Sequence, residues 1–290
     1  MNSYRLKMIA LICMVFDHIG EFIVNAPIFF RWIGRLSAPI FFFCSAYSFD
    51  YTKNKKKYLI RLYLSSVFMS IIDCLLDIDN NIFRTIFSMC LILYLIYIYR
   101  EKREKFKWYL SIYLFWQAFS IFLLYFFHSF FTLSEEISFY FLPALFGNIF
   151  YLEGGMLFVF LGILFYLFKE KPVKLALSYI LFDIAYFFLT TTPFVTIVLS
   201  KIGTLKPFSL GMFLNSTAEN FSTLILGLNP MVLGGSFLFQ NYQWMLIFSL
   251  VFILFYNHQA GKKHKYFFYI FYPLHIVVLF TLGQFISHLA

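Results

Sequence analysis

Long apolar runs separated by short polar breaks organise this chain. From Met8 to Val24 the chain is almost wholly apolar, interrupted by Asp17-His18. A run of that kind predicts a helix entering a bilayer, since spanning the hydrocarbon core takes about 20 mostly apolar residues at about 1.5 Å each. The same pattern predicts helices at roughly 8–27, 36–52, 58–76, 82–99, 108–127, 151–168, 175–193, 243–257 and 266–287. Residues 139–150 are apolar, yet another crossing there would invert the charge pattern, so they predict an interfacial or re-entrant piece. The segment Thr196 to Gln240 carries Asn215, Glu219, Asn220, Asn229-Pro230 and Gly234-Gly235. It is open to three readings: a long outer loop, a pair of broken half-helices, or two further crossings. The expected fold class is therefore all-α, a polytopic helical membrane protein with about nine (nine to eleven) transmembrane helices. No linker, repeat or low-complexity tract interrupts residues 1–290, which predicts a single membrane domain.

Composition removes the soluble alternatives. The chain is 61% hydrophobic and only 13% charged, against about 25% charged for ordinary globular domains. A net charge of +9 would suggest nucleic acid in a soluble protein. Here the cations gather in Tyr4–Lys7, Lys53–Arg61, Arg100–Lys107, Lys169–Lys174 and Lys262–Lys265, between apolar runs. That is the positive-inside pattern, so the amino terminus is expected in the cytoplasm, the protein in the cell membrane, and no nucleic acid as partner. The breaks around Asp77 to Asn81 and His128 to Ser138 are poor in Lys and Arg and go outside. All four cysteines lie in apolar runs without a CxxC or a His partner at ligand spacing, so neither a disulfide nor a metal site is expected. The first helix has no small-residue cleavage motif and is read as retained.

Candidate chemistry emerges when depth is measured inward from each basic cluster. His18 lies eleven positions from Lys7, hence about 16 Å deeper and on nearly the same helix face. His275, within Tyr272-Pro273-Leu274-His275, is about 15 Å from Lys265; Asp183 is about 13 Å from Lys174, and Gln117 about 15 Å from Lys107. Four helices thus bring hydrogen-bonding groups to one layer. An imidazole there can act as general base or nucleophile, with Asp17 or Asp183 fixing its tautomer. Gln117 reads better as interhelical glue. Arg31, Arg35 and Arg84 sit toward the outer side with Asp73, Asp77 and Glu153, as ion-paired structure or as a site for an acidic or carbonyl-bearing acceptor. Lys53 to Arg61 orients the chain and is also placed to grip an anionic cytosolic donor.

Several blocks together resemble one family. They are Leu6-Lys7-x6-Met14-x2-Asp17-His18-Ile19-Gly20, Ile33-Gly34-Arg35-Leu36-x2-Pro39-Ile40-Phe41, Tyr58-Leu59-Ile60-Arg61-Leu62 and Phe268-Tyr269-x2-Tyr272-Pro273-Leu274-His275. In these the chain resembles the TraX family, membrane proteins needed for N-acetylation of a conjugative pilin subunit. Lys7-x10-His18 is also similar to the Arg-x10-His signature of acyltransferase type 3 membrane enzymes, with Lys in place of Arg. The resemblance implies an acyl-CoA-dependent O- or N-acetyltransferase with acetyl-CoA as acyl donor and no metal. Its acceptor would be an envelope polymer or a secreted or membrane peptide, reached at the lipid bilayer. His18, Asp17 and His275 would be catalytic, and Lys7, Arg31, Arg35, Arg61 and Asp183 would bind substrate. A proton-coupled small-molecule transporter and a non-catalytic membrane assembly factor are the alternatives, because midplane His, Asp and Gln suit both.

Overall fold

The computed structural model describes residues 1–131, 133–205, 207–228, 235–262 and 266–289. All regular structure among them is helical. The chain runs through α1 (Ser3–Phe22), α2 (Phe29–Gly34), α3 (Ser37–Tyr51), α4 (Lys55–Leu76), α5 (Ile82–Glu101), α6 (Arg103–Phe130), α7 (Leu142–Leu145), α8 (Gly155–Phe168), α9 (Pro172–Thr191), α10 (Phe194–Gly203), α11 (Phe208–Asn220), α12 (Ser249–Leu254) and α13 (Phe267–Leu289). π-helical turns at Ile137–Phe141 and Phe221–Ile225 and a 3-10 helix at Tyr242–Phe248 complete it.

Five helices among the described residues, α4, α5, α6, α9 and α13, are long and apolar enough to cross a membrane. That is fewer than the nine to eleven crossings expected from hydropathy. The difference has physical causes. The first apolar run ends in a turn after Phe22, with Asn25 left-handed, and α1 carries Arg5, Lys7, Asp17 and Glu21. The helices α3 and α8, of 15 and 14 residues, reach only about 21–23 Å. Among the described residues of Thr196 to Gln240 the α-helices are short, α10 and α11 having 10 and 13 residues. Asn229-Pro230 and Gly234 fall outside the described residues, as do Lys263 and Lys265.

The chain gathers into two compact units. The first comprises Met1–Cys44, Leu167–Ile197 and Pro230–Ala290. In it α1 and α13 lie side by side and run in the same direction. Lys7 stands 5.9 Å over the Phe268 ring, and further along Phe22 meets Phe280 edge-on at 5.7 Å. Gly283 permits this approach, because a Cβ there would sit 2.1 Å from the Phe22 carbonyl oxygen. Asn2 caps α1 by accepting the Arg5 N–H at 2.9 Å. The 3-10 helix is tied to α9 by Tyr179, whose hydroxyl donates to the Leu246 carbonyl at 2.6 Å and lies 2.7 Å from Ser249 Oγ.

The second unit comprises Ser45–Tyr166 and Val198–Asn229. There α4 and α5 form an antiparallel hairpin, with Lys55 at the start of one 4.8 Å over Tyr97 near the end of the other. At the far end of that hairpin, Asn81 caps α5 and donates to the Ser66 carbonyl at 2.9 Å. Residues 139–150 pack against α6 as a short, irregular segment. Gln117 clamps it: Nε2 donates to the Gly147 carbonyl and Oε1 accepts the Ile149 N–H, both at 3.1 Å. Most of the remaining α6 side chains are exposed, including Phe115, Phe122, Tyr125 and Phe130, an apolar surface that water would not tolerate and lipid would.

Candidate active site around two histidines

His18 and His275, 257 positions apart, meet in the first unit with Nδ1 of one 2.7 Å from Nε2 of the other. Both are buried. The parallel pairing of α1 and α13 brings them together, His18 fifteen residues after the first of α1 and His275 eight after the first of α13. Phe22 stacks on His18 at 5.7 Å and Phe271 on His275 at 5.2 Å, so aromatic faces cover the pair.

Hydrogen placement follows from the partners. His275 Nδ1 lies 3.0 Å from the Phe271 carbonyl, and a carbonyl only accepts, so Nδ1 carries the proton. Nε2 of a neutral His275 is then an acceptor, and His18 Nδ1 donates to it. The lone pair of neutral His18 therefore sits on Nε2, which has no hydrogen-bond partner among the described residues.

Asp17 does not orient this imidazole, contrary to expectation. Its carboxylate receives Arg35 Nη2 at 2.9 and 3.0 Å and Arg31 Nη1 at 3.2 Å. Consecutive helix residues point about 100° apart, so with His18 facing α13, Asp17 faces α2. Arg31 also donates to the Asp17 carbonyl at 3.1 Å and to Glu21 at 2.8 Å. Two arginines and two acids thus close a neutral network beside the histidines, all four within electrostatic reach of His18. Tyr242 of the 3-10 helix completes it, its hydroxyl 3.5 Å from Arg31 Nε and its ring 5.6 Å from the Arg35 guanidinium. Arg31 and Arg35 are therefore not a separate outer group: α2 folds back and delivers them to the level of Asp17.

Lys7 and His18 both face α13, as their shared helix face predicts, through Phe268 and His275 respectively. Asp183 on α9 is buried in the same unit but bonded to neither histidine, and its Oδ1 accepts no hydrogen bond. Tyr186 lies within reach of both Asp183 and Arg35. Arg61 belongs to α4 in the second unit, with its guanidinium 5.8 Å from the Tyr58 ring centre. Sequence reasoning missed Glu21 and Tyr242. Glu21 was findable, four positions after Asp17 on the same face; for Tyr242 no local signal exists.

A family model described as TraX protein matches residues 3–198. The chain belongs to the TraX family. The TraX match takes in Lys7, Asp17, His18, Arg31, Arg35, Arg61 and Asp183, while His275 lies beyond it. No match was found among curated proteins or among solved structures. Family membership and the long apolar helices together fit a membrane protein.

Proposed function

We propose that this TraX-family chain works over residues 1–290 as a single membrane-embedded acyltransferase. It moves an acyl group, acetyl in the first instance, from cytosolic acetyl-CoA to an envelope-associated acceptor, a peptide amine or a glycan hydroxyl. The observation that carries the reading is the free Nε2 lone pair of buried His18, held in one tautomer by a second histidine. As the acceptor's nitrogen or oxygen bonds to the thioester carbonyl carbon, its proton passes to His18 Nε2. The C–S bond then breaks, and the departing CoA sulfur takes that proton from His18. His275 supports the imidazolium as it forms, and burial among aromatic rings keeps water from competing for the acyl group.

In this reading Lys7 holds a phosphate of the donor, Asp183 accepts a hydrogen bond from the acceptor through Oδ1, and Arg31 and Arg35 shape the wall beside the reacting centre. The chain lies in the cell membrane with its amino terminus in the cytoplasm and crosses about nine times, the shorter apolar helices supplementing the five long ones.

Transfer of labelled acetyl from acetyl-CoA, with thermal stabilisation by acetyl-CoA as the binding measurement, tests it. His18→Ala should lose transfer by roughly 10²–10⁴-fold while remaining inserted and folded. An unchanged rate in that variant overturns the mechanism. If the wild-type protein neither binds acetyl-CoA nor transfers label, the polar midplane belongs to a proton-coupled transporter instead.

A further inference from the structure

Asp73 near the end of α4 and Arg84 in the first turn of α5 form a second buried polar centre, in the second unit. Each is 1% exposed. Arg84 spends Nη1 on the Tyr140 carbonyl at 3.3 Å. Its Nε and Nη2 donate no hydrogen bond, Nη2 standing 3.9 Å from Asp79 Oδ1. Neither carboxylate oxygen of Asp73 accepts a hydrogen bond of good geometry, although Asn80 and Asn81 stand near. The buried Ser138 hydroxyl, in the π-helical turn that also carries Tyr140, is unmatched as well. Leaving a guanidinium and a carboxylate so poorly satisfied in a buried place is costly, and a cluster of such groups calls for something that completes them.

The chemistry of the completing group follows from the groups that face it. Arg84 offers two N–H donors to an anionic or carbonyl oxygen. Asp73 offers two acceptor oxygens, and with Asp79 and Glu153 also in reach of Arg84, carboxylates outnumber the one cation. A ligand that fits carries an anionic oxygen and, a few bonds away, a cationic N–H donor. The centre lies at the end of the α4–α5 hairpin away from Lys55, where a spanning hairpin meets the headgroup layer, and Asp79, half exposed, opens it outward.

We propose that this centre binds a phospholipid headgroup bearing a primary ammonium, that of phosphatidylethanolamine, with its phosphodiester on Arg84 Nε and Nη2 and its ammonium on Asp73 and Asp79. Phosphatidylcholine lacks the N–H donors and phosphatidylglycerol lacks the cation, so the site discriminates among the three. The full-length protein reconstituted in phosphatidylcholine nanodiscs, with each of the other two lipids added in turn, provides the test. Phosphatidylethanolamine should raise the melting temperature and be retained in native mass spectra, and the other lipids should do neither. Asp73→Asn should weaken that retention about tenfold, the size of one charge-assisted hydrogen bond. Should Asp73→Asn fail to fold, Asp79→Asn on the half-exposed rim replaces it and should weaken retention in the same direction. Equal retention of all three lipids, or a preference unchanged in the folded variant, overturns the proposal.

Discussion

A histidine earns a defined tautomer only from its partners, and the two nitrogens of His275 divide that work: Nδ1 is fixed by the Phe271 carbonyl and Nε2 by His18. In the proposed mechanism this makes His275 a positioning residue whose loss should be smaller than that of His18 itself. His275→Ala should slow acetyl transfer roughly 10–100-fold. His275→Gln should recover part of the loss, because its amide oxygen can accept from His18 Nδ1; single-turnover rates in the order His275→Ala, His275→Gln, wild type would establish the role. Asp17 belongs to a different account. Its carboxylate meets two guanidiniums, so Asp17→Asn should lower thermal stability more than it lowers the rate of the chemical step. A double-mutant cycle of Asp17→Asn with Arg35→Gln should return a coupling of about 1–3 kcal/mol. A coupling near zero would mean that the Asp17–Arg35 contact contributes nothing to the fold. The sequence placed His18 and His275 at one depth because helical rise alone sets that distance. It misassigned Asp17 because proximity along the chain is not proximity across a helix, and Arg35 arrives from an element whose return path leaves no hydropathy trace.

At the scale of elements, hydropathy located most helices to within a few residues, and the physical reason is that each run must satisfy its own backbone in an apolar medium. It missed the short α2 and left α10 and α11 open, since a half-buried turn and a loop carry the same mixture of residues. Close approach between elements is equally hidden from periodicity, because it depends on the absence of a side chain. At Gly34 a Cβ would lie 2.3 Å from Asp17 Cβ, and at Gly283 it would lie 2.1 Å from the Phe22 carbonyl oxygen. Gly283→Ala should therefore push α13 away from α1 and stretch the 2.7 Å contact two turns below it. The expected result is a folded, inserted protein destabilised by about 1–3 kcal/mol with transfer reduced toward the His275→Ala level. Normal activity in Gly283→Ala would show that the histidine pair tolerates helix separation.

For the whole molecule, charge along the chain makes the boldest claim, the sidedness of the helices. The second unit supplies a partial check of its internal logic. Lys55 meets Tyr97, and Arg100 lies 5.5 Å from the ring of Tyr166, whose hydroxyl donates to Asp50 at 3.1 Å, so these residues share one end. At the other end Cys74 Sγ reaches the Glu136 carbonyl at 3.2 Å and Asn81 caps α5. The basic and the base-poor breaks are thus separated by the length of the α4–α5 hairpin, about 30 Å for helices of 22 and 20 residues. A separation of that size matches the hydrocarbon core, and placing the lysine-rich end in the cytoplasm is the arrangement that the insertion bias favours. Single cysteines introduced at Lys55, Arg103 and Lys171 in a background lacking the four native thiols should resist a membrane-impermeant maleimide in intact cells. Those at Asn80 and Glu135 should react with it. External labelling at position 103 together with protection at position 80 would invert the orientation and, with it, the side from which an acyl-CoA could approach His18.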